Sequence, residues 1–255
     1  SFYKMKIIKK IIKEILRKLS RVVFHLMPKE LHMFYKIEEE KVLINSPKEK
    51  VYNYYRKKEL LECFNHFEKH LQSALHLDNL SIRTYAIEKS LINDKEKNKF
   101  YLEFGVFKGA SVNIFADYVK TIYGFDSFEG LREDWGGHLL PKGHFNLNKK
   151  IPKLKNNVVP VVGWIQDTLE DFLNQHNPKI NFVHIDVDTY ESSLYILKTI
   201  KPYLDKNAII LFDELYNFPG WKNGEYKALQ ETFNENEYKF RAFSRSGMEV
   251  AVQLI

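Results

Sequence analysis

A single cysteine, Cys63, stands in the 255 residues, which excludes an intramolecular disulfide and the small secreted scaffolds that depend on one. The thiol sits in "ELLECFNHF", a helical-looking stretch where a small buried hydrophobe is expected, and a reducing, cytoplasmic compartment fits this usage. No apolar run approaches the ~20 residues that a membrane-spanning helix needs. Internal repeats and low-complexity linkers are also missing, so solenoids and tethered arrays are excluded. The net charge is only +6, with much of the excess in the first 21 residues, so the basic balance is local and does not point to nucleic acid.

What is present can bury a sizeable core: 44% hydrophobic residues over this length suit one α/β domain with an appendage. In the opening stretch Ile8, Ile11, Ile12, Ile15 and Leu19 recur at helical spacing, with Lys6, Lys9, Lys10, Lys13, Arg17 and Lys18 between them. A basic amphipathic helix is expected over 1–27, ended by Pro28. Such a helix can pack on its own domain or on a second copy of the chain, giving a dimer through the N-terminal helices. Alternatively it can lie peripherally on the inner face of a membrane. Its lysines interrupt the apolar core that a cleaved signal peptide requires. A second helix is expected to open with Ser46 as N-cap and Pro47 at the first helical position, and a third at Ser81. Residues 1–97 thus read as a helical N-terminal region.

From residue 98 the pattern changes. The short apolar runs "FYLEFG", "TIYGFD", "VVPVVG", "INFVHID" and "AIILFDE" alternate with helical stretches, among them "YESSLYILKTIKPYL". Such alternation predicts parallel strands covered by helices, and "YKFRAFS" and "MEVAVQLI" then close the chain as a hairpin. A doubly wound sheet is expected over 98–255.

Three features of this region carry chemistry. "YLEFGVFKGAS" runs a strand into Gly105, then Gly109 and a helix start, a turn that lets a ligand approach the backbone beyond the strand end. Asp126 ends the next strand, 21 residues after Gly105, where a carboxylate can accept hydrogen bonds from ribose hydroxyls. The turn lacks the G-x-G-x-x-G arrangement of nicotinamide dehydrogenases, which makes that class a poor match. Glu103, inside the first strand, needs a partner: a bound amino group, a backbone N–H or a lysine from a neighbouring helix.

Acids form the third feature. Asp186 ends the fourth strand, and Asp213 with Glu214 ends the fifth, its neighbour in the usual doubly wound order. Three carboxylates converging at one sheet edge demand a cation or raised pKa values, and oxygen-only ligands favour a hard divalent ion such as Mg2+.

"FYLEFGVFKGASVN", "YGFDSFEGL", "GWIQDTLEDF", "HIDVDTYESS" and "FDE" followed by "PGW" occur in the order seen in the macrocin-type sugar O-methyltransferases, which this chain resembles over about residues 98–255. The resemblance implies a class I S-adenosylmethionine-dependent enzyme with a Rossmann-like sheet of order 3-2-1-4-5-7-6, the last strand antiparallel. By the same resemblance Glu103, Gly105 and Gly109 line the methionine part of the cofactor, Ser111 is a further cofactor-binding residue, Asp126 binds the ribose, and Ser127 and Phe128 border the adenosine. Gly163, Trp164, Asp167 and Thr168 approach the adenine, although Trp164 also suits a core and Thr168 a helix start.

Asp186, beside the cofactor, joins Asp213 and Glu214 as metal ligands in this reading. Glu214 departs from the aspartate or asparagine common at its position. Asp188 matches the position of the general base, with capping of the following helix as the alternative. His184 reads as a satisfied core histidine.

Two segments are candidates for substrate contact. The long polar loop from Glu129 to Ile151 carries Trp135, His138 and His144, and "LYNFPGW" carries Tyr216 and Trp221, which could stack on a sugar face. The expected acceptor is a sugar hydroxyl, in a nucleotide sugar, a surface polysaccharide or a glycosylated natural product. Phenol or catechol methylation and a non-catalytic cofactor-binding partner are the rival readings.

Overall fold

The computed structural model describes residues 50–135 and 140–255. The basic helix expected over 1–27, its end at Pro28, the Ser46 cap and His138 lie outside the described residues. Contacts divide the chain into two compact units, 1–57 and 58–255.

The second unit is built on one eight-stranded sheet of order β1-β7-β8-β6-β5-β2-β3-β4. Its central strands are β2 (Phe100–Phe104), β3 (Ile122–Asp126), β5 (Ile180–Ile185) and β6 (Leu204–Phe212), with β4 (Val158–Val162) at one edge. These five are parallel, whereas β8 (Val250–Leu254) runs antiparallel between β6 and β7 (Tyr238–Ser244). Leaving aside β1 (Leu75–Leu77), this is the expected 3-2-1-4-5-7-6 order. β1 adds an eighth, parallel strand beside β7.

β5 is buried at every position, as a strand covered on both faces must be. β4 leaves Val159 and Val162 exposed and carries Pro160, whose missing N–H is tolerated at a sheet edge. Alternate side chains enter two cores. Leu102, Phe104, Val183, Ile185, Ile210 and Phe212 meet α1 (Lys50–Leu71, through Cys63 and Phe67), α4 (Ile165–His176), α5 (Tyr190–Ile200) and α6 (Glu225–Thr232). Tyr101, Phe182, Ile209 and Leu211 meet α2 (Asn79–Leu91) and α3 (Ala110–Phe115) on the other face.

α2 starts at Asn79 rather than at Ser81, because Asp78 is the cap: its carboxylate accepts the N–H groups of Leu80 and Ser81. β1 and α2 lie in the unit that carries the sheet, whereas a boundary at 97/98 was expected from the change in hydrophobic period.

Candidate functional site

The site lies at the carboxyl ends of the parallel strands, where a cavity of about 350 Å3 opens between the turn after β2 and the acids after β5 and β6. Gly105 holds φ +88°, and a Cβ there would stand 1.7 Å from the carbonyl oxygen of Asp186, so only glycine lets these two loops touch. Asp126 fixes the same turn: its carboxylate accepts the N–H groups of Val106 at 2.9 Å, Phe107 at 2.7 Å and Phe128 at 2.7 Å. Asp126 remains half-buried on the cavity wall, so the residue expected to meet ribose also sets the turn.

Behind the cavity, polar groups form a row across neighbouring strands. Glu103 of β2 is fully buried and accepts from Ser111 Oγ and from His184 Nδ1, the latter at 2.8 Å. His184 Nε2 lies 3.4 Å from Asp213 Oδ1, which also takes Arg83 Nη2 at 2.8 Å. Arg83 then faces Glu249 Oε1 at 3.5 Å. Signs alternate along the row, from Glu249 through Arg83, Asp213 and His184 to Glu103. All four strand or strand-end members share the parity of Tyr101, Phe182, Leu211 and Ala251, the face covered by α2 and α3.

Burial alone would lower the His184 pKa, but its bonds to Asp213 and Glu103 raise the imidazole to about 10. Burial likewise opposes charge on Asp213, yet His184 and Arg83 hold its carboxyl well below the usual range. His184 is thus the core histidine expected, and it is an ion-pair partner as well.

In front of the row stand acids without cations. Oxygens of Asp186, Asp188 and Glu214 lie within 4.8 Å of one another, as do ligand atoms of His184, Asp186 and Asp213. Burial and the Asp213 charge push the Asp186 carboxyl well up and Asp188 up to about 7. Burial, then Asp213 and Glu225, does the same for Glu214. Glu214 is 5% exposed, its Oε2 has no hydrogen-bond partner, and it lines the cavity. An orphaned buried carboxylate oxygen beside two further acids fits a hard divalent cation. The grouping differs in one respect from the expected trio: Asp188, rather than Asp213, shares the closest set with Asp186 and Glu214.

Asp188 occupies left-handed backbone at φ 64°, and Thr189 is the N-cap of α5. The capping alternative for Asp188 therefore drops out.

Gly105, Asp126, Ser127, Gly163, Trp164, Asp186, Asp188, Asp213, Glu214 and Trp135 all line the cavity. Others do not. Gly109 faces Leu154, Phe128 is 1% exposed in the α2/α3 core, and Asp167 and Thr168 form the first turn of α4, with Thr168 Oγ1 donating to the Trp164 carbonyl. His144 is exposed and stacks edge-on against Phe145, which does reach the cavity.

The segment 215–221 is corrected outright as a sugar platform. Trp221 is 1% exposed and packs on His66, Phe67 and Tyr226, while the buried Tyr216 donates its hydroxyl to the Ser244 carbonyl. Its apolar residues close the core under α1.

Sequence reading missed Arg83, Glu225 and Glu249. It also missed Phe107, Arg132, Phe145 and Gln166 on the cavity wall. The Arg132 guanidinium bonds Gln166 at 2.9 Å and lies 5.6 Å from the Trp164 ring.

Residues 102–215 match a family model described as a methyltransferase domain. No curated protein sequence matches the chain. Among solved structures, the chain is similar to CalS11, a calicheamicin methyltransferase, at 21% identity and TM-score 0.57, covering 89% of this chain and 93% of that one. A structure of CalS11 without ligand, described as a TDP-rhamnose 3'-O-methyltransferase, gives 22% identity and TM-score 0.52, covering 89% and 95%. At these identities the likeness is one of fold. The segment that matches the methyltransferase-domain model holds Glu103, Asp126, Asp186, Asp188, Asp213 and Glu214.

Proposed function

We propose that the protein is an S-adenosylmethionine-dependent O-methyltransferase that uses a divalent cation, Mg2+ by preference, and acts on a sugar hydroxyl. The observation that carries this reading is one cavity with the Gly105 turn and Asp126 on one wall and Asp186, Asp188 and the orphaned Glu214 oxygen on the other. When bound, the cofactor supplies an electrophilic methyl group and the cation supplies charge that makes an acceptor hydroxyl more acidic. Gly105 and Asp126 hold the cofactor, with Trp164 and Gly163 at its adenine end. Asp186 and Glu214 hold the cation, with Asp213 or Asp188 completing the set.

Asp188 faces the cavity, where it would take the proton of an acceptor hydroxyl, and the bound cofactor would supply the methyl group. Trp135 and Phe145 close the wall and limit water.

A sugar acceptor is supported by the order of the motifs. The aromatic wall of Phe107, Trp135 and Phe145 favours a planar phenolic acceptor as the second reading. Calorimetry with S-adenosylhomocysteine, with and without Mg2+, tests the cofactor and ion sites. The wild type is expected to bind both, and Glu214→Gln to lose the effect of Mg2+ alone. A screen of nucleotide sugars against catechols then decides the acceptor. Failure of the wild type to bind S-adenosylhomocysteine would remove the proposal. The N-terminal basic segment is proposed to join two copies of the chain; sedimentation of the full chain against one starting after Pro28 tests it, an equal number of copies per particle opposing it.

A further inference from the structure

Arg83 lies outside the segment that matches the methyltransferase domain, on the helix that covers one face of the sheet. Its guanidinium is nevertheless largely buried, with 23% side-chain exposure, and reaches the end of β6. We propose that Arg83 is a positioning residue for the cation site, holding Asp213 in the orientation that an incoming divalent ion requires. The inference rests on the proposed function.

The geometry is specific. Both protein donors to Asp213, Arg83 Nη2 at 2.8 Å and His184 Nε2 at 3.4 Å, use Oδ1. Two donors on Oδ1 restrict the side chain's orientation and engage that oxygen rather than Oδ2. The same Arg83 nitrogen lies 3.5 Å from Glu249, whose side chain is 3% exposed, so the guanidinium is itself held from behind. Arg83 Nε and Glu249 Oε2 are buried without hydrogen-bond partners. Burying two such groups is costly, and a fold that needed only packing would be better served by an apolar side chain.

Asp213 lines the cavity while Arg83 does not, which is the arrangement of a residue acting through another. Loss of a partner that orients a metal ligand from behind typically costs about 10- to 100-fold in metal affinity.

The test is a Mn2+ titration followed by electron paramagnetic resonance of the free ion, on the full chain and on Arg83→Met, Arg83→Lys and Glu249→Gln. Arg83→Met is expected to weaken Mn2+ by about 10- to 100-fold. Its affinity for S-adenosylhomocysteine in metal-free buffer should stay within about twofold of the wild type. Arg83→Lys should recover part of the loss, because one charged donor can still reach Oδ1. Glu249→Gln keeps the charge at 83 but loosens its anchor, and should give an intermediate loss even if Arg83→Met folds poorly.

Wild-type Mn2+ binding that is unchanged in both Arg83→Met and Glu249→Gln would overturn the inference while leaving the proposed function standing. A parallel loss of S-adenosylhomocysteine affinity would reduce Arg83 to a structural residue. A wild type that binds no Mn2+ would remove the cation reading and this inference together.

Discussion

Gly105 and Asp188 show how single residues are committed by backbone before chemistry enters. Gly105→Ala places a methyl into the Asp186 carbonyl at positive φ, so it should lower the melting temperature and abolish S-adenosylhomocysteine binding, measured by thermal denaturation and calorimetry. Asp188 spends left-handed strain to face the cavity. Asp188→Asn keeps the shape and removes the proposed base, so turnover should fall by about 10²- to 10⁴-fold with cofactor binding retained. Cys63 makes a third case: burial raises its thiol to about 11, and at 3% exposure it should react with a disulfide reagent only after denaturation. The motif acids were legible in sequence because carboxylates at apolar strand ends are conspicuous. Arg83 and Glu249 were not, since an arginine inside an ordinary amphipathic helix and a glutamate in a hairpin show nothing of the partner that folding brings to them.

Among the elements, α1 enters the core of the sheet-bearing unit through Cys63 and Phe67. Phe67 is fully buried against Tyr216, Trp221, Tyr226, Phe240 and Phe243. Phe67→Ala should cost about 3–5 kcal/mol in denaturant unfolding and leave the cavity's ligand affinity unchanged. Parallel strands were readable as continuous apolar runs because both faces are covered. β1 was not: three residues, "LHL", carry no period, and only pairing with β7 makes them a strand. Aromatics of the 215–221 segment misled for a related reason. Their composition suits a sugar platform and a core equally, and the decision lies with α1, some 150 residues earlier in the chain.

Across the whole molecule, ends of the sheet differ in electrostatic task. At the amino end of the strands Lys99 pairs with Asp205; burial opposes the Asp205 charge, but Lys99 outweighs it and holds the carboxyl below its ordinary value. A depressed folded-state pKa contributes stability above the unfolded carboxylate range, about 4, which is lost as pH falls toward the folded value. Lys99→Met should therefore lower the melting temperature at pH 7, and the difference from wild type should shrink in titrations below about pH 4.

At the carboxyl end the close approach of Gly105 to the Asp186 carbonyl leaves no slack between the turn after β2 and the acid loop after β5. A shift of either loop is a shift of both. If the acids hold a cation as proposed, thermodynamic reciprocity requires that whatever factor the cation adds to cofactor affinity, the cofactor returns to the cation.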